Sequence, residues 1–152
     1  MKIKEILTEE VKSISSQLTV KEALKVLLEK KISGLPVVDE SGKLVGMFTE
    51  KEILTAILPG YLGKVGRFIY EENPKSIKNK FKELENLKVK DLMHKDIVTV
   101  DEDTAVCEVG HLMLTQKLRV IPILDKDKKL VGIVTREDII KSYAQEAGWI
   151  NP

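Results

Sequence analysis

The chain has 152 residues, of which 43% are hydrophobic and 32% are charged, and its formal net charge at pH 7 is +1. This length and composition are typical of a globular unit with a sizeable core. The near-zero charge favours neither nucleic acid nor an anionic membrane as a partner, and no apolar run approaches the roughly 20 residues that a membrane span needs.

The N-terminus and the cysteine content predict where the protein resides. Residues 1–5 include an acid at Glu5 and lead into no apolar segment of the kind that a signal peptide contains. Cys107 is the only cysteine, which excludes an intramolecular disulfide and fits a reducing compartment. We therefore expect a cytoplasmic protein, and the apolar pattern around Cys107 predicts a buried, inert thiol.

An internal repeat organises the sequence. A shift of 86 positions aligns residues 3–54 with residues 89–140 without a gap. Repeats of about 55 residues bury little apolar surface alone, so we predict that the two copies pack together. The predicted units are a first repeat at 1–58, a helical connection at 59–88, a second repeat at 89–147 and a tail at 148–152.

Each repeat is predicted to run strand, helix, strand, strand, helix. In the first repeat, Thr19 and Glu22 form a capping box before an apolar stripe that extends to Leu28. The third strand is an apolar run that ends at Thr49 in one copy and at Thr135 in the other. The earlier strands are predicted at 11–14 and 35–39 in the first repeat and at 97–100 and 121–125 in the second.

The helix that follows the third strand begins with the same motif in both copies. A threonine precedes a carboxylate by three residues, as Thr49 with Glu52 and as Thr135 with Asp138. This spacing is typical of a capping box. A helix N-terminus also attracts phosphate, and an aspartate accepts hydrogen bonds from a ribose diol. The residues alone leave both the structural cap and the ligand site open.

The connection and the remaining single features allow several predictions. Asn73-Pro74 is typical of a helix start, and the lysines of 75–82 form either a solvated helix face or a nucleic-acid patch. Gly110 predicts close packing of its helix against the other repeat, and His111 predicts a structural hydrogen bond. Trp149 is expected to dock on the body or on a partner.

Taken together, the repeated motifs resemble a known family. Two copies of Pro-apolar-apolar-Asp, a short turn, Leu-Val-Gly-apolar-apolar-Thr and a carboxylate three residues on resemble a tandem pair of cystathionine-beta-synthase (CBS) domains. The resemblance implies an α/β fold of two CBS repeats related by a pseudo-twofold axis, a module that often dimerises into a disc. It also implies clefts that in many relatives bind AMP, ATP or S-adenosylmethionine.

The resemblance implies a set of ligand-binding residues in each repeat. Thr135 and Asp138 match the positions that hold phosphate or ribose, and Glu52 with Glu50 makes the first site the weaker one. In the second repeat the other matching residues are Arg136 and Arg119 for phosphate, and Val98, Thr99, Val120, Ile121 and Pro122 around the base. In the first repeat the corresponding residues are Thr49, Glu52, Gly34, Leu35, Pro36, Lys12 and Ser13.

These observations favour a regulatory module over an enzyme. The chain has no P-loop, no paired metal ligands and no Gly-x-Ser-x-Gly elbow. We expect a stand-alone, energy-sensing homodimer that binds AMP, ADP or ATP and signals in trans to an unknown effector protein. The alternatives are a ligand-free dimerisation or interaction module and, less favoured, nucleic-acid binding through the connection. The sequence does not choose among the adenosine ligands, because backbone contacts and pocket volume decide that.

Overall fold

The computed structural model describes residues 1–7, 13–58 and 74–152. A 3₁₀ helix at Ile3–Glu5 comes first. The first repeat then contains β1 (Ile14–Ser15), α1 (Val20–Lys30), β2 (Gly34–Val38), β3 (Leu44–Thr49) and α2 (Glu50–Ile57). After α3 (Pro74–Leu84), the second repeat contains α4 (Val89–Leu92), β4 (Val100–Asp101), α5 (Val106–Thr115), β5 (Val120–Leu124), β6 (Leu130–Thr135) and α6 (Arg136–Glu146).

The two repeats form sheets of identical topology, which confirms the predicted duplication and the α/β fold. Each sheet has three strands, in the orders β1-β2-β3 and β4-β5-β6. The first pair in each sheet is parallel and the second is antiparallel. Gly34 lies opposite Thr49 in one sheet, and Val120 lies opposite Thr135 in the other.

The segment that leads into each repeat packs in the core of the other repeat. Ile3 is fully buried in the apolar cluster of the second repeat, and its N–H donates to the carbonyl of Thr104 at 2.8 Å. Val89 is fully buried in the cluster of the first repeat, and its N–H donates to the carbonyl of Leu18 at 2.8 Å. The exchange ties the two cores together.

Two of the predicted strands are shorter than expected. The strand predicted at 97–100 is β4, Val100–Asp101, and residues 97–99 precede it without regular structure. Of the strand predicted at 11–14, only Ile14 lies in β1, and residues 11–12 lie outside the described residues. In the second repeat, the apolar residues 97–98 therefore precede the residues that pair with β5.

The middle strands begin and end one residue earlier than predicted. Each strand ends early because the aspartate that follows it caps a turn. Asp39 Oδ1 accepts the N–H groups of Ser41 and Lys43, each at 2.9 Å. The Ser41 hydroxyl is the main cause that holds the pKa of Asp39 below its usual range. Asp125 accepts N–H groups in the same way from Asp127 and Lys129. Both aspartates are turn residues and not strand residues.

Several predictions for α1 and α5 are wrong. The stripe of α1 buries Leu27, but Leu28 is 68% exposed. On α5, burial of Val106 and Val109 turns Cys107 and His111 outward, so the thiol is exposed and the imidazole forms no hydrogen bond with the described residues. A side chain at Gly110 would first meet Ile139 Cδ1 of α6, at 4.0 Å, so this glycine faces a helix of its own repeat.

The connection and the tail are described in part. Pro74 begins α3 as predicted, while Asn73 lies outside the described residues. Trp149 is 86% exposed, so it does not dock on the body. Across residues 1–7, 13–58 and 74–152, no helix combines the length and the apolar content that crossing a bilayer requires.

Candidate functional site

The site residues expected in the second repeat gather at one end of its sheet. Val120 begins β5 directly opposite Thr135, which ends β6. Because β4 runs parallel to β5, residues 98–99 approach the same end just before β4 begins. Ile121 and Pro122 are buried in the strand, whereas Val120, Val98 and Thr99 are half-buried. The accessible part of this end consists of the half-buried residues and the start of α6.

Thr135 and Asp138 form the capping box that the sequence predicts. The Thr135 N–H donates to Asp138 Oδ2 at 2.8 Å, and the Asp138 N–H donates to Thr135 Oγ1 at 3.2 Å. The structural cap is therefore present. Within the described part of the chain, Asp138 Oδ1 and the Thr135 hydroxyl proton have no hydrogen-bond partner, and both residues are half-buried. Among the residues that the structure describes, one acceptor and one donor of this capping box are therefore left without a partner.

The guanidinium of Arg136 joins the start of α6 to the end of α5. Its Nε donates to the carbonyl of Leu118 at 2.9 Å, and its Nη2 donates to the carbonyl of Met113 at 3.2 Å. Arg119 directly follows Leu118 in the chain, and its side chain is exposed. The phosphate role of both arginines stays a prediction, and for Arg136 it would use the remaining N–H groups of the guanidinium.

The same motif is closed in the first repeat. Glu52 Oε2 accepts the Thr49 N–H at 3.1 Å and also the Thr49 hydroxyl, while Glu52 Oε1 contacts His94 Nδ1. The Glu52 side chain is only 10% exposed. The additional methylene of glutamate lets the carboxylate reach the threonine hydroxyl. Both carboxylate oxygens of Glu52 therefore have partners within the protein.

His94 is a partner of the first capping box that the sequence analysis did not identify. Its backbone pairs with Met47 of β3 through two N–H to carbonyl hydrogen bonds of 3.0 Å. Comparison of the two repeats could have identified this position. The 86-residue shift aligns His94 with Thr8, which lies outside the described residues. A histidine in one copy where the other has a threonine indicates that the two sites differ.

Gly34 and Gly46 of the first repeat leave the space that Thr49 and residues 93–94 occupy. A Cβ at Gly34 would lie 2.7 Å from Thr49 Cγ2, so the missing side chain leaves room for the threonine methyl. In the second repeat, Val120 occupies that position. A Cβ at Gly46 would lie 2.6 Å from Met93 Sδ and 3.0 Å from the His94 carbonyl. Gly46 therefore admits the segment that follows α4.

The other expected residues of the first site contribute less to an accessible surface. Leu35 and Pro36 are buried in β2, Ser13 is exposed, and Lys12 lies outside the described residues. A cavity of about 290 Å³ lies between α2 and α4, and Glu52 and His94 form part of its wall. Because those two side chains bond each other, the ionic groups left on that wall are Lys51 and Asp91.

Comparison with known proteins yields matches across the chain. Residues 3–59 and 89–145 each match the CBS domain. The inosine-5'-monophosphate dehydrogenase of Methanocaldococcus jannaschii is 35% identical over 148 residues, which are 96% of this chain and 25% of the enzyme. The chain thus spans only a quarter of that relative's length.

Two solved structures superpose over almost the whole chain. Arabidopsis thaliana CBSX2 in complex with AMP has a TM-score of 0.74 at 25% identity, covering 96% of this chain and 98% of CBSX2. The CBS domain pair of protein MJ0100, in complex with 5-methylthioadenosine and S-adenosyl-L-methionine, has a TM-score of 0.69 at 28% identity. It covers 96% of this chain and 98% of the MJ0100 pair.

Proposed function

This chain belongs to the CBS domain family as a tandem pair, and on that premise we propose that it is a regulatory, non-catalytic module. It binds an adenosine nucleotide such as AMP, ADP or ATP at its second repeat. It passes the signal in trans to a separate protein in the cytoplasm, as an energy sensor does. The nucleotide-binding part of this proposal carries the rest, because a module without a ligand has no signal to pass.

The observation that carries the proposal is the difference between the two capping boxes. Asp138 keeps one carboxylate oxygen without a partner among the described residues, whereas both oxygens of Glu52 are bonded. A ribose hydroxyl needs an acceptor of this kind. We therefore assign the ribose to Asp138 and Thr135, the base to Val98, Thr99 and Val120, and the phosphate to the side of Arg119 and Arg136.

The bound ligands of two relatives support this choice of ligand class. AMP, 5-methylthioadenosine and S-adenosyl-L-methionine all carry adenosine. A site that recognises the ribose diol and the base accepts that shared part and leaves the 5' substituent to other contacts. We propose AMP, ADP and ATP for this chain because the arginines beside Thr135 suit a phosphate.

We propose that the ligand changes the arrangement of the repeats through the segment that links the two sites. Residues 94–99 run from the Glu52–His94 contact of the first repeat to Val98 and Thr99 at the second site. A ligand that holds 98–99 acts on the same segment that His94 attaches to α2. It shifts the arrangement only as far as it binds one arrangement more tightly than another.

A thermal unfolding experiment tests the proposal. We expect AMP at 100 times its Kd to stabilise the protein by about 2.7 kcal/mol and to raise the Tm by several degrees. The matched ligand 2'-deoxy-AMP, which lacks one ribose hydroxyl, should give a clearly smaller rise. Asp138→Asn keeps an acceptor for the capping box and should lose most of the rise with AMP.

Two outcomes would contradict the proposal. If no nucleotide of a panel with AMP, ADP, ATP and S-adenosylmethionine changes the Tm, the chain acts as a ligand-free interaction module. If AMP and 2'-deoxy-AMP stabilise equally, the ribose is not recognised at Asp138. Sequence-independent, salt-sensitive retention of RNA or DNA by Lys78, Lys80 and Lys82 of α3 would instead support nucleic-acid binding.

A further inference from the structure

Residues 94–99 connect the sheet of the first repeat to the candidate site of the second. At one end of this segment, His94 pairs with Met47 of β3 through two backbone hydrogen bonds of 3.0 Å. At the other end, Val100 begins β4 and pairs with β5. Residues 95–99 lie between these two points and belong to no helix or strand. The segment is therefore attached to a different sheet at each end.

The imidazole of His94 provides a further attachment, to the start of α2. Its Nδ1 contacts Glu52 Oε1, while Glu52 Oε2 accepts the N–H of Thr49 at 3.1 Å. The Glu52 side chain is only 10% exposed, and a carboxylate oxygen that is shielded from water and has no partner is unfavourable. The contact with Glu52 therefore favours one position of His94 and of the residues that follow it.

The space beside His94 allows a second position of its side chain. The side chain is 40% exposed, and it forms part of the wall of the cavity of about 290 Å³ between α2 and α4. An imidazole that rotates away from Glu52 would enter this cavity or the solvent without displacing a buried side chain. The side-chain attachment can thus be lost while the backbone hydrogen bonds to Met47 remain.

The far end of the segment carries two of the residues to which we assign the nucleotide base. Val98 and Thr99 are half-buried and directly precede β4. Residues that move freely before a ligand binds must become ordered when it binds, and the entropy lost in this ordering lowers the affinity. A contact that already restricts residues 95–99 in the free protein therefore strengthens binding at the second site.

We infer that His94 is a positioning residue for the second site, because its contact with Glu52 holds residues 95–99 in the arrangement that receives the base. The first repeat thereby controls the affinity of the second repeat for an adenosine nucleotide. This inference rests on the proposed function, since it concerns the affinity of the site proposed there. Linkage is reciprocal, so a nucleotide that orders Val98 and Thr99 also strengthens the contact between Glu52 and His94.

The first experiment is isothermal titration calorimetry of the full chain with AMP. His94→Leu removes the ring nitrogen that contacts Glu52, and it should raise the Kd by about three- to tenfold without abolishing binding. His94→Asn keeps a hydrogen-bonding group and should restore most of the affinity. The matched control is Lys95→Ala, which changes an exposed neighbour on the same segment and should leave the Kd unchanged. Circular dichroism verifies that the three variants are folded.

The second experiment uses the wild type and needs no substitution in the protein that is measured. The chain has two histidines, His94 and the exposed His111 of α5, and NMR resolves the ring C–H signals of each. Saturation with AMP should shift the signals of His94 and leave those of His111 in place. A spectrum of His94→Asn assigns the two sets of signals. A histidine that serves only the stability of the first repeat would not respond to AMP.

The outcomes separate this inference from the proposed function. If AMP binds the wild type and His94→Leu with the same Kd, or if saturation with AMP leaves the His94 signals in place, the inference is wrong and the proposed nucleotide site stands. If AMP does not bind the wild type at all, the proposed function is wrong and the inference is wrong with it.

Discussion

The two copies of the Thr-x-x-carboxylate motif differ at the level of single atoms. Thr49 donates its hydroxyl to Glu52, whereas Thr135 accepts the N–H of Asp138. The sequence shows the glutamate, and from it we predict a weaker first site. It does not show that His94 occupies the remaining carboxylate oxygen, because that contact joins residues 42 positions apart. That the first site is the weaker one stays a prediction. The contact of Glu52 with His94 is a second physical reason for it.

The orientation of Thr49 depends on Gly34, and this dependence can be tested. Gly34→Ala would place its Cβ 2.7 Å from Thr49 Cγ2. We expect a loss of about 1–3 kcal/mol in the free energy of unfolding, measured by urea denaturation, because the threonine must leave its position.

Gly110→Ala is the control for that substitution. Its Cβ meets no atom nearer than 4.0 Å, and alanine is favoured over glycine in a helix by about 1 kcal/mol. We expect it to stabilise the chain. A Gly34→Ala variant as stable as the wild type would show that Thr49 is not held by this contact.

At the scale of elements, the sequence predicts their order and type well and their ends less well. Periodic apolar runs gave α1, α5, β3 and β6, because burial of one face imposes that pattern. The ends of β2 and β5 shifted because Asp39 and Asp125 bond to turn N–H groups, a local competition that hydrophobicity does not reveal. Exposure of Cys107 was likewise missed, since an apolar neighbourhood in sequence does not specify which helix face packs.

The turn after β2 gives a pH-dependent prediction. Because the folded-state pKa of Asp39 is below its ordinary value of 3.8, ionised Asp39 stabilises the fold above that pH. This contribution is lost as the pH falls through the lower, folded-state pKa. We expect Asp39→Ala to be less stable than the wild type at pH 7, with the difference shrinking below about pH 4.

The matched control is Asp127→Ala, which removes an exposed carboxylate that caps no turn. Urea denaturation between pH 7 and pH 2.5 measures both variants. A stability difference for Asp39→Ala that is the same at every pH would mean that the charge of Asp39 contributes nothing.

At the scale of the molecule, the segment that leads into each repeat packs in the core of the other repeat, and this exchange makes the two repeats one structural unit. The sequence predicts that the copies pack together, and the fold confirms two CBS repeats. It does not predict that Ile3 and Val89 each enter the opposite core. A segment of only a few residues has no periodic pattern that indicates which core it packs in. Only the three-dimensional structure therefore reveals the exchange.

The exchange predicts a large effect from a residue near the chain end. Ile3→Ala removes a fully buried side chain from the second core and should cost about 2–5 kcal/mol in unfolding free energy. Ile77→Ala, at a position 43% exposed on α3, should change it by less than about 0.5 kcal/mol. Equal, small effects of both substitutions in urea denaturation would contradict the docking of the lead.

We propose that the second repeat binds an adenosine nucleotide through Asp138, while Glu52 closes the capping box of the first repeat. Isothermal titration calorimetry with AMP tests it most directly, on the wild type, Asp138→Asn and Glu52→Gln. We expect one AMP per chain in the wild type, loss of binding in Asp138→Asn and unchanged binding in Glu52→Gln. Binding that survives in Asp138→Asn and disappears in Glu52→Gln would contradict it.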